Sequence, residues 1–172
     1  DYKAKPCARG TNMASTTFSG PVTSTAGFIS GSDSLVSVTA NVTLTAAANA
    51  GRTMVLGVAS GATVTLPAAS GTGNIYRFFV STTVTSNNYI IQVANGDDTM
   101  AGVAIVANDS DNSASIFETA ATSDTITMNG TTTGGLLGAT VEIQDVASNV
   151  FSVVSRGAAT GTEATPFSAA VS

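Results

Sequence analysis

Val36-Ser37-Val38-Thr39-Ala40-Asn41-Val42-Thr43-Leu44 alternates apolar side chains with hydroxyl and amide ones. In an extended chain successive side chains point to opposite faces, so this stretch puts its valines and its leucine on one side and its polar groups on the other. It reads as a half-buried strand or strand pair. Short runs of the same kind follow: Met54 to Val58, Val64 to Leu66, Ile75 to Val80, Tyr89 to Val93, Val103 to Ala107, Ser115 to Glu118, Thr125 to Met128, Thr140 to Val146 and Val150 to Ser155. Between them stand turn residues, among them Asn87-Asn88, Asn95-Gly96-Asp97-Asp98 and Asn129-Gly130, which tolerate the positive φ of tight turns. Many short strands separated by turn signals predict an all-β sandwich or barrel. Helix evidence is confined to Leu44 to Ala50 and Gly134 to Gly138, both flanked by glycine, and one short helix is the most the chain is expected to form. Val42-Thr43-Leu44-Thr45-Ala46-Ala47 recurs as Val64-Thr65-Leu66-Pro67-Ala68-Ala69. With no third copy in the sequence, the echo reads as two similar strand-to-turn exits and not as a solenoid.

Composition supports this reading. Ala, Gly, Ser and Thr make up more than half of the 172 residues, and only 10% are charged. Thr and Val are β-branched and fit a pleated surface better than a helix. A chain of this length buries enough surface for a real core without a metal or disulfide staple. Its one cysteine, Cys7, has no second cysteine in the chain to bridge to. No run approaches the ~20 apolar residues that a membrane helix needs, and no apolar stretch of signal-peptide type heads the chain. The expectation is a soluble protein with no membrane partner.

The two ends differ from the middle. Residues 1–20 contain both lysines, Lys3 and Lys5, with Arg9, and show no periodicity; they read as an extended arm. Residues 1–12 precede Met13-Ala14-Ser15, which looks like an ordinary start, so they read as an upstream extension or a vector scar. Residues 21–156 are the expected sandwich. Residues 157–172 are Ala-, Thr- and Gly-rich and read as an extended tail. Phe18, Phe28 and Phe167 fall in segments without periodicity, where bulky side chains suit anchors inserted into a neighbour. With Lys3, Lys5 and Arg9 they form the expected partner-contact set.

The same inventory narrows the chemistry. The chain has no histidine, which removes the commonest general base, the commonest metal ligand and every Ser-His or Cys-His nucleophile. Beyond residue 12 three arginines face ten carboxylates, the wrong balance for gripping nucleic-acid phosphates. Asp97-Asp98 and Asp109/Asp111 lie in Asn-rich turns, where Asp caps backbone amides. Asn108 to Ser113 offers alternate oxygen ligands, but an EF-hand loop starting at Asp109 needs Gly where Ala114 stands and Glu where Ala120 stands. Gly71-Thr72-Gly73 lacks the third glycine of a dinucleotide fingerprint. Glu118, Glu142 and Asp145 read as outward charges that keep a sheet soluble. Tyr76, Phe78 and Phe79 read as core, with Arg77 between them at a rim or in an ion pair. No enzyme, cofactor or metal is expected.

Two stretches carry a resemblance. Val42 to Ala47 with Gly51-Arg52-Thr53 and Val64 to Ala69 resembles virion structural proteins of tailed bacteriophages. Ser123 to Gly135, followed by Gly138 and Val141-Glu142-Ile143, is similar to segments of small phage head proteins. The resemblance implies a capsid decoration, or cement, protein: an all-β, jelly-roll-like β-sandwich, usually a homotrimer, on the outer surface of the virion shell, bridging major capsid subunits without catalytic residues. A Ser/Thr/Ala/Gly surface loses little side-chain entropy when pressed against another protein, which suits permanent assembly. The rival expectation is a glycan- or receptor-binding domain of a phage fibre or bacterial surface adhesin.

Overall fold

The computed structural model describes residues 34–171. They form twelve strands and one helical turn: β1 Leu35–Val38, β2 Val42–Thr43, α1 Ala46–Asn49, β3 Thr53–Leu56, β4 Ala62–Thr65, β5 Ile75–Val80, β6 Tyr89–Gln92, β7 Thr99–Ala107, β8 Ala114–Glu118, β9 Thr125–Met128, β10 Thr140–Ala147, β11 Val150–Ala158 and β12 Phe167–Ser168. A seven-stranded sheet runs β1-β3-β5-β10-β11-β7-β8, and a five-stranded sheet runs β12-β9-β6-β4-β2. Their inward faces share one core that includes Met54, Phe78, Val153, Val64, Ile91 and Ile126. The all-β sandwich expected from the sequence is therefore what forms.

Its connectivity is not that of a jelly roll. Greek-key jelly rolls are antiparallel, whereas here β1, β3 and β5 run parallel in one sheet and β2, β4 and β6 run parallel in the other. From β1 to β6 the chain alternates between the sheets, so each pair of strands is one coil stacked on the last. Later strands make antiparallel hairpins, β7 with β8 and β10 with β11.

The echo in the sequence is one of these coils. Val42 and Thr43 lie beside Val64 and Thr65, and Leu44 N–H continues the ladder by donating to Thr65 O at 2.8 Å. A third rung exists after all: Val64 lies beside Ile91, Thr65 beside Gln92, and Leu66 N–H donates to Gln92 O. Coil stacking asks only for a buried apolar residue at each rung. Leu44, Leu66 and Val93 satisfy that with different side chains, so self-similarity fades by the third copy.

The C-terminal stretch is docked where an extended tail was expected. β12 pairs antiparallel with β9, Thr127 N–H donates to Pro166 O, and Phe167 is 7% exposed within the core. Asp124, itself buried, accepts N–H bonds from Ala170 and Val171 and fastens the last described residues.

Candidate interaction face

The two outer faces of the sandwich differ in chemistry. On the five-stranded sheet the register aligns Thr43, Thr65 and Gln92 in one row, which ends on the buried Thr125, and Thr63, Ile90 and Thr127 in the next. Hydroxyls and amides dominate there. On the seven-stranded sheet one row runs Leu35, Thr53, Arg77, Glu142, Val154, Val103, Glu118. Its neighbour runs Ser37, Val55, Phe79, Thr140, Arg156, Ile105, Ile116. Apolar side chains therefore interleave with charge across this face. Leu35 is 62% exposed, Phe79 38% and Ile116 65%.

Strand alternation explains the placement. In β5 the even residues Tyr76, Phe78 and Val80 are buried, so Ile75, Arg77 and Phe79 point outward. Phe79 is thus a surface aromatic where a core residue was expected. The signal was present in the sequence: Arg77 cannot be buried without a partner, and whatever stands two residues from it shares its face. A groove of about 530 Å³ opens beside it, bordered by Leu35, Val55, Arg77, Phe79, Glu142 and Arg156.

The charges on this face are few. Arg77 Nε donates to Glu142 Oε2 at 2.9 Å, across neighbouring strands of the same chain. Both side chains are solvated, so the pair adds about 0–1 kcal/mol to stability and serves mainly to hold the two groups in place. Arg156 has no carboxylate within ion-pair distance among the described residues. Two of the three arginines of the sandwich therefore stand on one apolar face. Such an arrangement can bury area against another protein and present guanidinium forks to carboxylates or carbonyls.

The carboxylates off this face have structural work. Asp145 was read as an outward charge, yet it is 3% exposed. It accepts N–H bonds from Ser70, Gly71 and Thr72 at 3.0, 2.6 and 3.0 Å, and a bond from the Thr72 hydroxyl. Burial pushes its pKa up, but the Thr72 side chain and the three backbone amides outweigh burial and hold the carboxyl below its ordinary value. The irregularity between Asp145 and Ala147 in the pairing of β10 with β11 accompanies this inward placement. Burial, and then the Asp145 charge, raise the pKa of the Tyr76 hydroxyl. Asp98 is also buried and accepts from Ala69 N–H and Asn95 Nδ2. Asp111 accepts from Ser113 within the Asn108 to Ser113 turn, whereas Asp109 accepts from Gly161 N–H and ties that turn to a distant loop, so both acids bind backbone amides.

Of the expected partner-contact residues, Lys3, Lys5, Arg9, Phe18 and Phe28 lie outside the described residues. Phe167 is corrected to a core side chain, because β12 turns it inward against the five-stranded sheet's buried face. Compared with family models, with curated proteins and with solved structures, the chain matches none of them.

Proposed function

We propose that the protein is a structural virion component that decorates the outer surface of a tailed-phage capsid and stabilises the shell by bridging major capsid subunits. The observation that carries this reading is the contrast between the two outer faces: one is clad in threonine, the other in exposed apolar side chains around Arg77 and Arg156. Apolar patches with embedded arginine and aromatic groups fit protein interfaces. The seven-stranded face is the surface that meets the shell, and Lys3, Lys5, Arg9, Phe18 and Phe28 add contacts from the N-terminal segment. The protein acts as a homotrimer and needs neither cofactor nor metal. Many copies on one shell multiply individually weak contacts into a lasting clamp.

The test is reconstitution. Particles lacking the protein are challenged with heat and osmotic shock, with and without added wild-type protein or the Phe79→Ser variant. Restored resistance with wild type, and none with Phe79→Ser, is the expected result. Particles equally resistant with and without the protein overturn the reading.

A further inference from the structure

We propose that two copies of this protein join edge to edge through β8, the strand pairing with itself antiparallel about a twofold axis centred on Ile116. This contact is separate from the threefold association proposed above and does not rest on the proposed function. Among the described residues β8 is an outer edge of the seven-stranded sheet. Exposed edges are normally blunted by proline, lysine or extreme shortness. β2 and β12, the edges of the other sheet, are two residues long, and β1, the opposite edge of this sheet, has four. β8 has five, Ala114-Ser115-Ile116-Phe117-Glu118, with neither proline nor lysine.

The hydrogen-bond pattern shows which groups are available. Asn108 N–H donates to Ser113 O and Thr119 N–H to Gly102 O. In an alternating antiparallel ladder Ser115 and Phe117 therefore direct their backbone groups toward β7, and Ala114, Ile116 and Glu118 direct theirs to the open side. A second β8 centred on Ile116 meets this array in phase. Ile116 then exchanges both backbone bonds with Ile116 of the second copy, and Ala114 exchanges both with Glu118.

The charges are compatible with the same register. Glu118, the one ionised side chain of the strand, falls opposite Ala114 and not opposite itself, so the pairing opposes no like charges. Pairing also joins Ile105 and Ile116 of both copies into one apolar cluster on the outer face. Five residues per copy make a small interface, so association is concentration-dependent in solution.

The test uses the full chain with Cys7→Ser and a single new cysteine at Ile116 or, as control, at Leu137, which is exposed to a similar degree, 66% against 65%. Directly paired Cα atoms of this type lie about 5.5 Å apart, within disulfide reach. Under oxidised glutathione the Ile116→Cys chain is expected to form its dimeric disulfide about tenfold faster than the Leu137→Cys chain. Light scattering on unmodified protein is expected to give an even number of chains at high concentration, a dimer or paired trimers. Ile116→Asp, which places two carboxylates face to face, is expected to abolish that even state while leaving the circular dichroism unchanged. Cross-linking at Ile116 no faster than at Leu137 overturns the proposal, as does an association state that Ile116→Asp leaves intact.

Discussion

Val42 and Val64 stand side by side in a parallel ladder, and Asn41 Oδ1 accepts Thr63 N–H at 2.8 Å across the same 22-residue offset. One circuit of the chain through both sheets separates each of these pairs. The sandwich thus begins as stacked coils and finishes as hairpins. Within the coils each strand pairs with one a single circuit away, whereas β5 with β10 and β7 with β11 join segments far apart in sequence, and the buried groups around these joins are the first places to test the architecture.

Asp145 fastens the loop carrying Ser70, Gly71 and Thr72 to the end of β10. Asp145→Ala removes the shared acceptor of three backbone N–H groups and the Thr72 hydroxyl, whose own residues water can reach, and we expect a loss of about 1–3 kcal/mol in urea unfolding near neutral pH. Because the folded carboxyl titrates below its ordinary value of 3.8, the unfolded chain binds that proton more readily. Its stabilisation is therefore complete above the unfolded value and is lost as pH falls through the folded one. The wild type should lose stability on acidification in that window, and Asp145→Asn should show a shallower acid dependence.

Gly130 tests the turn after β9. Its φ is +78°, and a Cβ there would lie 1.9 Å from Val84 O, a backbone atom with no room to yield. Gly130→Ala is expected to cost about 3 kcal/mol or more, combining steric overlap with left-handed strain. A thermal melt within a degree or two of wild type would falsify this placement of the turn.

Phe78 and Phe79 are adjacent, and alternation sends them to opposite faces. Phe78→Ala should cost about 3–5 kcal/mol, as for other buried aromatics, and should impair shell binding only through unfolding. Phe79→Ser should change stability by less than about 1 kcal/mol and abolish binding to the shell. Urea melts combined with co-sedimentation on particles separate the two outcomes.

Phe167 and Asp124 make the C-terminus part of the domain. Phe167→Ala should cost about 3–5 kcal/mol, and truncation after Ala164 should cost at least as much. A truncated chain that melts like the full one would contradict the docking of β12 on β9.

Much of this is legible in the sequence. Ile75–Val80 and Thr125–Met128 are strands with the boundaries their alternation gave, and the one helical turn, Ala46–Asn49, falls within Leu44 to Ala50. Local pattern records which residues face inward along one strand, but not which strand lies alongside. The parallel coils therefore escaped, since Ile91 and Val93 share only apolarity with Val64 and Leu66. Asp145 is misread because a carboxylate is normally an outward group, and the donors that hold it inside come from a distant loop, 75 positions earlier in the chain for Ser70. Phe167 was misjudged because a two-residue strand is too short to show alternation. Phe79 was recoverable from Arg77, whose face it shares.

The central claim is that the seven-stranded face binds a capsid shell. Cryo-electron microscopy of intact virions tests it most directly. The account requires this fold at fixed stoichiometry on the outer surface, with Phe79, Arg77 and Arg156 turned toward major capsid subunits. Density confined to tail tips, or a bound molecule presenting its threonine face to the shell, would contradict it.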